Sequence, residues 1–395
     1  MKCPKILSLL LMILLLSTGY ASAAPSQTLK IAAGDPEDSE MGVVGNAFKE
    51  YIEEKTKGDV EIQCFYSGSL GDESECLRNV QKGTLPMAMA GIANLVPFEK
   101  KLGLLTLPYL FSNIDEVVTG TNSAPAELLN SYATKSGFRI LTWTYTDFRY
   151  ISNAKRPITK MADMQGLKFR VPQSAVLIAA YKAFGGSPTP ISWAETFTAL
   201  QQGVVDGQCY GYIGFKAMKF NEANQKYLTE VHYTYQLQPL VISERVFKKM
   251  TPEMQKLLID AGKYAQEKVL KYQIEQADAA KKYLIDNGLQ VSQLEDEDVW
   301  KKAAMEKVWP EMADFVGGKE TINAYLKACI DTVMARHGYT IARSVTMGRD
   351  LMGTHRLFGR EDATEGLHAF VSDAGDLMLQ VAGLPGGIEA VEDGE

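Results

Sequence analysis

The sequence predicts an α/β protein of two lobes, and three observations carry that expectation. Strand-like and helix-like segments alternate from the start of the chain, an order that favours a mainly parallel sheet with helices on its faces. Roughly 370 residues follow the N-terminal leader, more than a single hydrophobic core usually holds. One helical pattern runs over 251–288; at 1.5 Å per residue it makes a rod of about 50 Å, longer than one small lobe, so it is expected to lie across both.

Each element has a local reason. Residues 1–23 read as a secretory signal: Lys2 and Lys5 lead an apolar run over 6–16, and Ala21-Ser22-Ala23 is a small-residue cleavage site. A bilayer span needs about 20 apolar residues, so this run is too short to cross and remain, although a retained anchor is the competing reading. A first strand is expected over 28–33 and a helix over 41–57. A second strand is expected where Val60, Ile62, Cys64 and Tyr66 alternate with mostly polar neighbours. The Gly-containing turn at 67–71 then leads into a helix over 73–82. Further strands are expected at 138–144, 166–171 and 240–243. In the long helix Thr251 is the N-cap and Pro252 fits the first helical position. Met254, Leu257, Leu258, Ala261 and Ala265 recur at helical spacing, and Asn287-Gly288 is a stop. An unmarked break in this helix is the alternative.

Composition narrows the function. The chain has 41 basic and 48 acidic residues, a net charge of -7, and no basic patch, which argues against nucleic acid or anionic lipid as a partner. Of five cysteines, Cys3 leaves with the leader. Cys64, Cys76, Cys209 and Cys329 can pair in three ways, or stay as buried thiols, as a chain this long needs no staples. With no CxxC, HExxH or Cys/His cluster, neither a metal nor a cofactor is expected. No GxSxG motif or suitable Cys/His pair points to an enzyme.

A series of motifs carries more. The chain reads DFRYISN at 147–153, KRPI at 155–158, DMQGLKFRVP at 163–172, PTPISWAETF at 188–197 and ALQQGVVDGQ at 199–208. GSLG at 68–71, LPYLF at 107–111, VWPE at 308–311 and GGKE at 317–320 complete the set. In this order, over 28–333, they resemble the solute-binding subunits of tripartite ATP-independent periplasmic (TRAP) transporters, the DctP-like family. The resemblance implies a periplasmic-binding-protein-like fold of two α/β lobes joined by crossing strands, with a long helix spanning both. It implies a non-enzymatic receptor in the periplasm that clamps a small organic carboxylate and hands it to the TRAP membrane subunits, without itself being membrane-embedded. Lobe I is expected over 24–147 with about 235–274 returning to it, lobe II over 148–234 with about 275–333 returning, and 334–395 form a C-terminal extension.

The resemblance assigns the ligand's carboxylate to Arg170 and gives Arg149 as a second arginine facing it. Chemistry supports the choice, because a guanidinium offers a rigid fork of donors that matches a carboxylate. The competing reading is that either arginine pairs with a protein carboxylate or faces water. Trp193 stands where the family often covers the ligand with an aromatic, or else is a core residue. Gln173, one turn beyond Arg170, is a further donor candidate. The family commonly reads Asp-Gly-Gln-Glu-Asn-Pro where this chain has Asp206-Gly207-Gln208-Cys209-Tyr210-Gly211. Tyr210 therefore replaces an asparagine that contacts the carboxylate; it is a candidate donor that also fills volume, which speaks against a sialic-type acid. Trp143, Tyr145 and Phe148 are core residues by default; in the cleft they would favour an aromatic acid. Glu195 and Asp206-Gly207 are read as fold-keeping.

Other functions compete: a ligand sensor for a signalling receptor, the receptor of an ATP-driven importer, or an extracytoplasmic enzyme. The tail holds three of the four histidines, His337, His355 and His368. It reads either as an added helical segment or as a partner-contacting extension, with one more helix over 371–384.

Overall fold

The computed structural model describes residues 24–336. The leader and the extension beyond 336, with the helix expected over 371–384, lie outside them. Two sheets organise the chain. The first contains β1 (Gln27–Ala33), β2 (Val60–Phe65), β3 (Met87–Met89), β4 (Phe138–Phe148) and β10 (Tyr235–Ser243), in the order β2-β1-β3-β10-β4. The second contains β5 (Ile151–Asn153), β6 (Lys168–Val171), β7 (Ser187–Pro190), β8 (Gly207–Cys209), β9 (Tyr227–Glu230) and β11 (Gln290–Gln293), in the order β11-β9-β5-β8-β6-β7.

The expectation of mainly parallel sheets needs correction. β1 is parallel to β2 and β3, and β6 is parallel to β7 and β8. Each sheet, however, also contains an antiparallel pair of strands, β4 with β10 at the edge of the first sheet and β5 with β9 inside the second. The reason is connectivity. The chain leaves the first sheet along β4, enters the second at β5 after only Arg149 and Tyr150, and returns from β9 into β10. An outgoing and a returning strand side by side must run in opposite directions. The two crossings are bonded to each other where Arg149 N donates to Thr234 O at 2.9 Å. β10 is buried along its whole length, although it carries Gln236, Gln238 and Pro239. Pro239 gives no ladder donor, and the register with β4 shifts beside it, between Leu240 and Val241.

A third connection is the 35-residue helix Pro252–Asp286, capped by Thr251 as expected. It packs against the helix Glu40–Lys55 and β4 on the first lobe and against the helix Tyr212–Ala217 on the second. Its approach to β4 requires Gly262: a Cβ there would run into the backbone carbonyl of Leu141. On the second lobe Lys281 Nζ reaches Glu230 Oε1 at 2.7 Å, at the end of β9. The expected return of 275–333 to the second lobe is corrected at its end. The helix Gly318–Arg336 packs on the first-lobe helix Ser123–Lys135, and Tyr325 Oη donates to Gly120 O at 2.9 Å. Its buried ring and the carbonyl at the neighbouring helix end fix that choice, which no local pattern encodes. Among the described residues no helix is long and apolar enough to cross a membrane.

Replacing Gly262 with valine should force the long helix off β4. A loss of about 1–3 kcal/mol is expected for such overpacking, seen as a lowered thermal midpoint. Ile274→Ala on the exposed side of the same helix should leave the midpoint unchanged; equal midpoints for Gly262→Val and the parent would refute the close-contact account.

Candidate functional site

The two crossing strands and the long helix hold the lobes face to face, and the polar groups of both lobes converge between them. Their meeting place is a cavity of about 20 Å³, bordered by Arg149, Arg170, Trp193, Tyr210, Glu73 and Gln238 among others. That is room for about one water molecule. It adjoins a recess of about 320 Å³ that shares Glu73 and Trp193 and continues past Phe197 and Met218. A larger recess of about 810 Å³ lies elsewhere, between β4 and the helix Ser123–Lys135. Key polar groups along its wall are already engaged: Asn130 is bonded to the backbone of Ile140, and Gln266 to Trp143 N.

Arg170 enters the cavity from β6. It is 2% exposed, and its Nε donates to Ile191 O at 3.0 Å. The guanidinium carbon lies 5.2 Å from the Trp193 ring centre. Its terminal nitrogens make no hydrogen bond or ion pair among the described residues. Burial, and then the like charge of Arg149, pull its pKa down to about 10, so it stays charged at neutral pH. Arg149, 6% exposed, sits on the crossing between β4 and β5. Its Nε donates to Cys209 Sγ at 3.2 Å and its Nη2 to Cys209 O at 3.3 Å. It too lacks a carboxylate partner among the described residues.

Carboxyl groups are nevertheless close. Asp35, fully buried after β1, accepts from Tyr210 Oη at 2.6 Å and from Gln238 Nε2 at 2.9 Å. Burial raises its pKa, and those bonds offset the rise only in part. Glu73, first residue of the helix Glu73–Lys82, accepts from Asn94 Nδ2 and, at 3.2 Å, from Gly91 N. Burial, then the charge of Asp35, push it up to about 7. Glu40 begins the helix Glu40–Lys55, and neither of its buried carboxyl oxygens has a hydrogen-bond partner among the described residues. Burial above all, against the pull of its own backbone N–H and with the charges of Asp35 and Asp147, raises it to about 8. An acid can shed a costly buried charge by taking a proton, whereas a guanidinium cannot. Burial therefore weakens the negative charge of these acids while Arg170 keeps its positive charge.

The structure brings four of the five sequence candidates together. Arg170, Arg149, Trp193 and Tyr210 all border the cavity. Gln173 is the correction: it is exposed and does not line the cavity, because the chain turns at Pro172 and Ser174 caps the next helix. Tyr210 also differs from expectation. Its hydroxyl is committed to Asp35 of the other lobe, with Gln238 Nε2 donating to it at 2.7 Å. Its ring stacks on Trp193 at 5.0 Å and lies so close to Gly214 that a Cβ there would overlap it. Tyr210 is thus a latch between lobes. Trp143, Tyr145 and Phe148 are buried core residues that do not border the cavity, which removes the reason for an aromatic ligand. The four described cysteines are free thiols. Sequence reasoning missed Asp35, Glu73, Asn94, Gln236 and Gln238. Only the glutamines carried a signal, as polar residues at alternate positions in an otherwise apolar strand.

Comparison with known proteins agrees with this layout. The family model DctP, bacterial extracellular solute-binding protein, family 7, matches residues 32–315. A solute-binding protein of Verminephrobacter eiseniae is 34% identical over 246 residues, 62% of this chain and 72% of that protein. A TRAP periplasmic solute-binding protein from Polaromonas sp. JS666, solved bound to D-erythronate, is 30% identical with a TM-score of 0.72, covering 76% of this chain and 98% of its own. One from Roseobacter denitrificans OCh 114, solved with L-galactonate, is 26% identical with a TM-score of 0.70, covering 74% and 98%.

The raised pKa of Glu40 sets a pH dependence. Its carboxyl titrates near about 4.5 when unfolded and about 8 when folded, so between those values the folded chain holds a proton that the unfolded chain has released. Its contribution to stability is whole below about pH 4.5, declines as pH rises, and is gone above about 8, with a slope of up to about 1.4 kcal/mol per pH unit. Glu40→Gln should flatten this decline in thermal denaturation and be the more stable protein at pH 8. Parallel pH profiles for the two proteins would show that Glu40 carries no such proton.

Proposed function

Because this chain belongs to the bacterial extracellular solute-binding protein family 7, the DctP-like solute-binding proteins of TRAP transporters, we propose that it captures a small aliphatic hydroxy acid in the cleft between its lobes and delivers it to TRAP membrane subunits. Members of this family are carriers of solutes, not catalysts. The observation that carries the ligand class is the Arg170 fork, charged, 2% exposed, and short of acceptors for its terminal nitrogens. A ligand carboxylate supplies two parallel charge-assisted hydrogen bonds there. The Trp193 ring, which already lies against the guanidinium, covers the apolar edge of the ligand. Glu73, Asn94 and the two cleft glutamines offer acceptors and donors for hydroxyl groups, and the adjoining recess has room for the body of the molecule. The acids bound by the Polaromonas and Roseobacter relatives, D-erythronate and L-galactonate, have this chemistry.

Binding is coupled to closure. With the lobes apart, Arg170 is hydrated and Asp35 is separated from Tyr210. Closure removes water from both, and the ligand's carboxylate compensates the guanidinium that closure buries. The crossings at 149–150 and 231–234 are the hinge, since they are the short segments between the sheets. Residues 1–23 direct export, which places the receptor in the periplasm beside the transporter. The expectation of a sensor for a signalling receptor has no feature of the cleft in its favour.

Calorimetry with D-erythronate, L-galactonate and succinate tests the reading. Arg170→Ala should remain folded yet weaken binding of the preferred acid by about a hundredfold or more, the scale of a lost buried charge pair. Gln173→Ala should bind as the parent does. Full-strength binding by folded Arg170→Ala would overturn the assignment.

A further inference from the structure

We propose that Cys209 is the buried anion that neutralises Arg149, so that the closed cleft offers one uncompensated guanidinium and selects monocarboxylates over dicarboxylates. This rests on the carboxylate-binding reading of the cleft and adds to it the charge rule of the site. Two buried arginines border one cavity, and neither has a carboxylate partner among the described residues. They are nonetheless not equivalent. Arg170 borders the cavity with its terminal nitrogens unbonded among the described residues, whereas Arg149 spends Nε on the Cys209 sulfur at 3.2 Å and Nη2 on the carbonyl of the same residue. Cys209 is 1% exposed, on β8 directly opposite Ile151 of the outgoing crossing. The other groups facing that sulfur are also proton donors, the buried hydroxyls of Tyr181 and Tyr233. Tyr233 Oη donates to Tyr181 Oη at 3.4 Å, which leaves the Tyr181 proton available to the sulfur.

A neutral thiol is a weak acceptor and a weak donor, poorly suited to a position surrounded by donors. A thiolate accepts from Arg149 and from Tyr181, whose proton is not engaged by Tyr233, and turns a buried, uncompensated guanidinium into an ion pair. The titration behaviour agrees. Burial alone would raise Cys209, yet Arg149 and the two tyrosines outweigh it and hold the thiol below its ordinary value. Cys64, Cys76 and Cys329 go the other way, raised by burial, Cys76 to about 11 and Cys329 to about 12. The consequence for selectivity follows from charge. With Arg149 paired internally, one ligand carboxylate balances Arg170, and a second would lie beside Glu73 and Asp35, where the one other cation lining the adjoining recess, Lys219, is exposed to solvent.

The test has two independent arms on the full chain. In the first, thiolate absorbance in the ultraviolet is followed from about pH 4 to about pH 9 as a difference against Cys209→Ser, with Cys209→Asp as the blank if the serine variant does not fold. The thiolate is expected to persist below the ordinary thiol value of about 8.5. A signal that rises only at or above about 8.5 overturns the proposal. In the second, calorimetry compares D-erythronate with succinate. Cys209→Ser, checked for folding by circular dichroism, should shift the affinity ratio toward succinate by about tenfold or more. Cys209→Asp, which keeps an anion, should retain the parent's ratio. An unchanged ratio in folded Cys209→Ser also overturns the proposal. If no acid binds the parent, the carboxylate reading fails, while the absorbance arm still decides the charge on Cys209.

Discussion

A guanidinium keeps its charge however deeply it is buried, and at Arg170 that charge lies between two lobes with no carboxylate paired to it among the described residues. Much else in the molecule can be understood from this constraint. β6 delivers the side chain into the interlobe space, the carbonyl of Ile191 holds Nε, and the Trp193 face lies beneath the planar group. These contacts orient the fork without neutralising it. A site that must bind and release an anion requires this state: an internal ion pair would compete with the ligand, and an exposed arginine would gain little from it.

The surrounding acids are compatible with that role because burial pushes them toward their neutral forms. Asp35, Glu40 and Glu73 are all raised, chiefly by loss of solvent. As neutral or hydrogen-bonded groups they contribute polarity and shape without cancelling the arginine. Asp35 has a mechanical part as well. Its bond to Tyr210 joins the two lobes at the floor of the cleft, and Gln238 on the crossing strand β10 donates to both partners. The same few side chains therefore register lobe closure and line the space where a ligand is held.

The scaffold explains why such a cleft can open and close as a unit. Two short crossings are bonded to each other at Arg149 and Thr234, and the helix Pro252–Asp286 braces both lobes from outside. The proposed hinge lies in these crossings, since the elements on either side are sheets with buried faces. The closing helix Gly318–Arg336 returns to the first lobe and packs there.

The sequence by itself determined the elements whose signals are local: the Thr251 cap and 35-residue helix, the helix Glu73–Lys82, and the strands around them. It also singled out Arg170 as a candidate, because a run of motifs in fixed order resembles a family that uses an arginine there. What local signals could not carry was which residues meet across the gap. Asp35 reads as a loop acid and Glu73 as an ordinary helix start; Asn94, Gln236 and Gln238 lie tens to hundreds of positions away. Gln173 looked equivalent to its neighbours until the turn at Pro172 sent it to solvent. The antiparallel strands in each sheet, the final helix on the first lobe, the Tyr210 latch and the Arg149–Cys209 contact were decided by tertiary structure alone. Each depends on distances between residues far apart in the chain, and burial sets the charge state of groups that in an isolated segment would be hydrated.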